Sequence, residues 1–152
     1  MNNDPPSWLA HARSMMGLTP FIASLNGEVL DMGKDGAHIR VPYGAHLVGD
    51  PDSGVVHGGV ITGLLDHASG MAVMSSLREP MPIATLDLRI DYMKPATPGE
   101  AIIAVSRCLK VTHDIAFVRG AAHQGDEANP IALCTGTFML IRGQKLPYEV
   151  KA

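Results

Sequence analysis

An unusually apolar segment runs from Gly58 to about Leu77, and it dictates how the rest of the chain must be arranged. Apolar side chains recur around most of its circumference at helical spacing: Val60, Ile61, Leu64, Leu65, Ala68, Met71, Ala72, Met74 and Leu77. A helix of this composition is buried on nearly all sides. At a rise of about 1.5 Å per residue it would extend across a small domain. We therefore predict one long central helix over about residues 58–77.

The segments on either side of this helix have the patterns of strands. In residues 84–93 apolar and polar residues alternate, which places Leu86 and Leu88 on one face and Thr85 and Asp87 on the other. The other predicted strands are residues 21–25 and 28–32 around an Asn26-Gly27 turn, 37–41, 101–111, 115–123 and 131–141. Strands around a single long helix, without a βαβ repeat, predict an α+β fold with an antiparallel sheet.

Two further segments complete this interpretation. Residues 5–16 have helical spacing behind Ser7, a suitable N-cap, and predict a short N-terminal helix. Residues 42–56 are rich in glycine and proline, so we expect a long loop there. Loops of this length inside a small domain are often functional.

Length and composition limit the class of protein. The chain has 152 residues, the size of one domain, which we assign to residues 1–152. Its net charge of -3 and its 5% aromatic content argue against nucleic-acid binding, which needs a basic surface or stacking rings. No apolar run approaches the roughly 20 residues that span a bilayer, and the first residues lack the pattern of a secretion signal. We therefore expect no membrane association and a cytoplasmic location.

The metal-binding and sulfur-containing residues are also informative. The seven histidines include no i, i+4 pair on one helix, so we expect no metal site. The two cysteines, Cys108 and Cys134, lie in apolar runs, which is typical of small buried side chains rather than of a disulfide framework.

Asp66 is a carboxylate in the middle of the apolar helix. Burying it unpaired and ionised would be costly, so it needs a partner, a raised pKa or access to water. Three glycines and the acid form one stripe of the helix, with spacings of 4, 3 and 4: Gly59, Gly63, Asp66 and Gly70. The stripe either forms a shallow groove in which Asp66 is the functional group, or lets the helix approach another element closely. Thr62 and Ser69 flank the acid and could hydrogen-bond to it.

The start of the helix, His57-Gly58-Gly59, has the properties of an oxyanion hole. The first N–H groups of a helix are unpaired, and glycines let a substrate oxygen approach them. His57 could orient the preceding loop, or it could only cap or pack against the helix. Asp66 lies eight residues beyond Gly58, about 12 Å along the axis, too far for both to act on one carbonyl. Either the two features are unrelated, or two chains form a symmetric dimer in which Asp66 of one faces Gly58 of the other.

These residues, together with the segment TLDLRIDYMKPATPG at 85–99, resemble the hotdog-fold acyl-CoA thioesterases of the phenylacetate-pathway (PaaI) type. The resemblance covers about residues 20–141. It implies an antiparallel sheet wrapped around one long helix, and homodimers that often pair as homotetramers. It also implies hydrolysis of an acyl- or aryl-CoA thioester to the free acid and CoA. No metal or cofactor is then expected, because coenzyme A is part of the substrate.

The resemblance also assigns roles to individual residues. Asp66 matches the catalytic acid, acting as nucleophile or as general base toward water. Gly58 matches the backbone donor that polarises the thioester carbonyl, His57 the histidine that supports it, and Thr85 the residue that positions the attacking water. The residues expected to bind substrate or CoA are Gly59, Asp50, Lys110, Tyr92 and Arg89. No cysteine nucleophile is needed, and neither cysteine lies near the motif.

One departure and two alternatives remain. Many relatives have an asparagine in the loop before the His-Gly-Gly, where this chain has Asp50 and Asp52, and an ionised aspartate cannot donate a hydrogen bond to a carbonyl. A hotdog hydratase or dehydratase would need a histidine beside the acid, but His67 projects about 100° away around the helix. A non-catalytic acyl-CoA-binding module would not need Asp66.

Overall fold

The computed structural model describes Ala10, Ser14, residues 19–144 and Leu146. The helices are α1 (Pro20–Ser24) and α2 (Gly58–Ser75), with a 3₁₀ turn at Ala45–Leu47. The strands are β1 (Glu28–Gly33), β2 (Gly36–Val41), β3 (Val48–Asp50), β4 (Val55–Val56), β5 (Ile83–Tyr92), β6 (Ile102–Val111), β7 (Ile115–His123) and β8 (Ala132–Leu140). The N-terminal helix predicted over residues 5–16 lies outside the described residues except for Ala10 and Ser14, which are both helical.

Six of the strands form one sheet in the order β1-β2-β6-β7-β8-β5, and each neighbouring pair is antiparallel. Strands β3 and β4 form a separate two-stranded sheet. Helix α2 packs mainly on β2, β6 and β7, so the long helix lies against one face of the sheet. The α+β class and the antiparallel sheet predicted from the sequence are confirmed.

Helix α2 is the core of the domain. Eleven of its residues are buried, because its apolar side chains face the sheet and the connecting segments. It ends at Ser75, two residues before the predicted end, where the hydroxyls of Ser75 and Ser76 both bond to the carbonyl of Ala72. In the part of the chain that the structure describes, no helix is both long enough and apolar enough to cross a bilayer.

The strand predicted at residues 21–25 is wrong, since the chain forms helix α1 there. Thr19 is extended, and Pro20 occupies the first helical turn, where a missing N–H and a fixed φ favour a helix. The turn ends at Asn26, whose φ of 54° is left-handed. A five-residue apolar run does not distinguish a strand from one helical turn. The proline before it was the signal for a helix.

The loop predicted over residues 42–56 is more ordered than expected. It contains the 3₁₀ turn and the β3–β4 hairpin, in which Val48 pairs with Val56 and Asp50 with Val55. This hairpin leads directly into the start of α2.

A bulge in β5 corrects the predicted alternation. The register with β8 shifts between Thr85 and Asp87, so Leu86 is an extra residue and half of its surface is exposed. Thr85 pairs with Phe138, whose side chain is buried on the helix side of the sheet. Thr85 therefore faces the helix, and not the opposite side as the alternation predicted.

Candidate active site

The start of α2 is capped by His57. Its Nδ1 accepts the N–H of Gly59 at 2.9 Å, and its carbonyl accepts the N–H of Val60 at 3.0 Å. Capping is thus the role of His57 that the geometry shows. Gly59, expected to bind substrate, has its N–H committed to this cap. The N–H groups of Gly59 and Val60 are thus engaged by His57, whereas the N–H of Gly58 takes part in neither bond.

Tyr92 ties strand β5 to the same turn of α2. Its hydroxyl donates to the carbonyl of Gly58 at 2.9 Å and lies 2.6 Å from the hydroxyl of Thr62. Thr62 also lies 3.2 Å from the Gly58 carbonyl, so its bonds go to the helix start and not to Asp66 as expected. Tyr92 therefore fixes the peptide that follows the proposed oxyanion donor.

Asp66 is half-buried, and Thr85 donates a hydrogen bond to its Oδ1 at 2.9 Å. Because Thr85 is exposed, this pair is open to solvent. Ser69, the other residue expected to bond to Asp66, is fully buried and contacts the hydroxyl of Ser106 at 3.1 Å. Of the sequence-predicted catalytic residues, the fold brings Asp66 and Thr85 into direct contact.

Strand β5 thus contacts α2 at two separate places. Thr85 meets Asp66 near one end of the strand, and Tyr92 meets Gly58 at the other. Along the helix, Asp66 and Gly58 are separated by eight residues, about 12 Å. Within one chain, the Asp66 carboxylate and the Gly58 N–H are therefore too far apart to act on one carbonyl, and we call their two locations the half-sites.

The glycine stripe does not form a continuous groove. A Cβ on Gly63 would lie 2.5 Å from Cζ of Phe21, so the ring of Phe21 covers this glycine. A Cβ on Gly70 would meet Ile83 and Phe138 at 3.7 Å, an ordinary packing distance. Each of the two alternatives for the stripe is therefore partly correct. Close packing covers the stripe at Gly63 and Gly70, while Asp66 stays accessible.

Asp50 organises the turn before the helix. Its carboxylate accepts the hydroxyl of Ser53 at 2.5 Å and the N–H of Asp52 at 3.2 Å. The hydrogen bond from Ser53 is the main cause that lowers the pKa of Asp50. Gly49 beside it lies against His57, because a Cβ there would be 2.8 Å from His57 Cα. Asp50 therefore holds the hairpin next to the helix start, with both oxygens accepting bonds.

The two basic residues expected to bind CoA lie apart from Asp66 in the described chain. Arg89 pairs with Thr135 on the sheet face opposite the helix, and its guanidinium binds Asp91 at 2.9 Å. Lys110 is exposed on β6, three strands from β5 and so about 14 Å away across the sheet. Neither joins the Asp66–Thr85 pair within one chain.

Cys134 lies closer to the motif than its sequence position indicates. Its Sγ is 3.9 Å from the hydroxyl of Ser69, one turn of α2 beyond Asp66. Burial raises the pKa of the Cys134 thiol, and the negative charge of Asp66 raises it further. The thiol is therefore kept protonated and is a poor nucleophile.

A cavity of about 510 Å³ opens beside the helix start. Its walls come from α1, the 3₁₀ turn, β3 and the first turn of α2: Phe21, Ser24, Leu25, His46, Leu47, Val48, His57, Gly59 and Val60. Sequence reasoning missed it because residues 21–25 were assigned to a strand. In the described residues, no group of three or more His, Cys, Asp or Glu side chains could hold a metal ion.

Comparisons with known proteins identify the family to which this fold is similar. Residues 53–131 match the family model of the thioesterase superfamily. The medium/long-chain acyl-CoA thioesterase YigI of Escherichia coli K12 is 31% identical over 134 residues, covering 80% of this chain and 85% of that protein.

Solved structures give the same result. A protein from Pseudomonas aeruginosa superposes with a TM-score of 0.77 at 39% identity, covering 87% of this chain and 98% of that one. A mutant of the phenylacetic acid degradation protein PaaI from Thermus thermophilus has a TM-score of 0.71 at 26% identity, covering 81% and 100%. The expected hotdog fold of the PaaI type is confirmed by these likenesses.

Proposed function

This chain belongs to the thioesterase superfamily and is a thioester hydrolase, and on that premise we propose that it hydrolyses acyl- or aryl-CoA thioesters to the free acid and CoA. The observation that carries the proposal is the solvent-accessible Asp66 carboxylate, held by Thr85 at 2.9 Å. The E. coli relative named as an acyl-CoA thioesterase supports CoA as the thiol part of the substrate.

In the proposed reaction Asp66 is the general base. The Thr85 hydroxyl donates a hydrogen bond to Asp66, so the hydroxyl oxygen of Thr85 can accept a hydrogen bond from the attacking water. Asp66 takes one proton of that water as the oxygen attacks the thioester carbon. The Gly58 N–H binds the oxyanion, and the tetrahedral intermediate then expels the CoA thiolate. The thiolate takes up the proton that Asp66 removed from the water, which restores the ionised base. The reaction needs no metal or separate cofactor.

The proposed enzyme is a homodimer with two shared sites. Asp66 of one chain acts with Gly58 of the other, because the two residues are about 12 Å apart along one helix. Strand β5 supports this arrangement. It is ten residues long and lies at an edge of the sheet, so its outer side can pair with a second copy. Pairing of two such dimers would give the tetramer that the resemblance implies.

Two variants test the roles of the half-sites. Asp66→Asn removes the base and is expected to lower kcat by about 10²–10⁴-fold. Gly58→Pro removes the backbone donor, because a ring carbon replaces the hydrogen on the nitrogen. The position is the first residue of the helix, where proline is favoured, and His57 before it has the extended conformation that proline requires. We expect a loss of about 10²–10³-fold in kcat. Gly58→Ala is the matched control, because it keeps the N–H and its methyl would make an ordinary 3.4 Å contact with Tyr92.

Co-expression of Asp66→Asn and Gly58→Pro chains tests the dimer. Half of the dimers would be mixed, and each would keep one intact site of two, so about a quarter of wild-type activity should return. Hydrolysis of a panel of acyl-CoA thioesters, followed by thiol release, is the assay. Full activity in Asp66→Asn would refute the catalytic role. Mixed dimers no more active than their parents would refute the shared site alone.

A further inference from the structure

The cavity beside the start of α2 has the composition of an apolar ligand site. Five of the side chains that line it are aliphatic or aromatic: Phe21, Leu25, Leu47, Val48 and Val60. Among the described residues that line it there is no Lys or Arg. At about 510 Å³ it falls within the range of small-molecule pockets, and it is larger than the roughly 150 Å³ cavity that holds a benzene ring. Its lining therefore suits an uncharged, apolar group and not the phosphates of a nucleotide.

The cavity also adjoins the oxyanion donor. His57 and Gly59 form part of its wall, and Gly58 lies between them in the chain. Gly58 is not itself a lining residue, but both of its chain neighbours are, so a carbonyl oxygen bound by the Gly58 N–H would lie close to the edge of this cavity. The substituent on the carbonyl carbon needs an apolar space within a few ångströms, and the cavity provides it.

Phe21 separates this cavity from Asp66 of the same chain. Its ring is a wall of the cavity and covers Gly63, where a Cβ would lie 2.5 Å from the ring. Gly63 is one turn from both Gly59 at the cavity and Asp66 along the stripe. Half of the Phe21 surface remains exposed, so the ring is held by packing on one side only.

We propose that the cavity binds the acyl chain of the substrate and that Phe21 sets the length of chain it accepts. The inference rests on the proposed function for the nature of the ligand, and it names the substrate class as thioesters of aliphatic acids. The chain enters past Gly58 and runs between α1 and α2. The ring of Phe21, which covers Gly63, blocks the acyl chain from extending further along the glycine stripe.

Binding of S-alkyl-CoA thioethers tests this without hydrolysis, because a thioether has no carbonyl to attack. Calorimetry would give Kd for alkyl groups from methyl to dodecyl. Each methylene that enters the cavity should lower Kd by about fourfold, the equivalent of its transfer from water, until the cavity is full. Beyond that length Kd should stop falling.

Three variants make the test specific. Phe21→Ala should move the length at which Kd levels off to longer chains and leave S-methyl-CoA within about twofold. Val48→Phe, which fills the cavity, should move it to shorter chains. Phe117→Ala is the matched control, since Phe117 is a similarly exposed phenylalanine on β7. If Phe21→Ala folds poorly, Gly63→Ala displaces the same ring without removing it.

The outcomes separate this inference from the proposed function. The same levelling-off length in wild type, Phe21→Ala and Val48→Phe, or a Kd independent of chain length, would overturn the acyl site even if thioesters are hydrolysed. A shift in opposite directions for Phe21→Ala and Val48→Phe would establish the site. That result would stand even if no thioester in the panel were hydrolysed, which would refute only the proposed function.

Discussion

Replacing Thr85 by valine should impair catalysis through Asp66 and leave the fold intact. The substitution keeps the shape of the side chain and removes the one hydrogen bond from Thr85 to Asp66 Oδ1, at 2.9 Å. Because Thr85 is exposed, the fold does not depend on this bond, and we expect a similar midpoint of thermal unfolding.

The expected magnitude follows from the nature of the bond. Hydrogen bonds to charged groups contribute about 1.5–3 kcal/mol, and water can partly replace one at an exposed position. We take the lower end, which corresponds to about a tenfold loss in kcat. Thr85→Ser keeps the hydroxyl and should retain most of the activity.

A double-mutant cycle distinguishes action through Asp66 from an independent effect. In the Asp66→Asn background, Thr85→Val should cost less than about twofold, because the water that Thr85 and Asp66 hold together then has no base to deprotonate it. The cycle is measured by steady-state hydrolysis of one acyl-CoA by the four proteins, with each rate divided by the concentration of folded protein. A further tenfold loss in the double variant would refute the reasoning, since Thr85 would then act on the substrate by itself.

Three other predictions concern the fold around the site. Gly120→Ala should lower the free energy of unfolding by about 1–3 kcal/mol in urea, because a methyl there would overlap the buried hydroxyl of Ser106. Ser53→Ala should raise the pKa of Asp50 toward its ordinary 3.8, as read by NMR of the carboxyl carbon. The stabilising effect of Ser53 on folding through this lowered pKa should be complete above that value and disappear as the pH falls through the folded-state pKa. Deletion of Leu86 should leave thioesterase activity within about tenfold, because it removes only the extra residue of the bulge.

The central helix and the meander after it could be predicted from the sequence because single patterns decide them. Helix α2 has enough apolar residues around its circumference to exclude a surface helix, and its predicted start at Gly58 is correct. The strands that follow are bounded by turn residues. Asp66 could be identified as a candidate because it is a carboxylate in an otherwise apolar helix. The helix start could be identified because two glycines follow His57.

The parts that sequence could not supply depend on contacts distant along the chain. Whether His57 caps the helix or orients a loop depends on which groups come within 3 Å of its ring, and spacing does not determine this. The cavity forms where α1 packs against the start of α2. The ring of Phe21 can lie there because Gly63 has no side chain to occupy the same space. Nothing in a single sequence indicates that Phe21 packs against Gly63, or that α1 packs against the start of α2.

The bulge in β5 explains how one strand can contact α2 at both Asp66 and Gly58. Thr85 and Tyr92 are seven residues apart, an odd number, and in a regular strand they would point to opposite faces of the sheet. The extra residue Leu86 changes that parity, so both hydroxyls face α2, one on Asp66 and the other on the Gly58 carbonyl. A strand that positions both groups must face the helix at both ends, and at the sheet edge it can also pair with a second chain. The bulge therefore links the geometry of each half-site to the surface on which the two halves would meet.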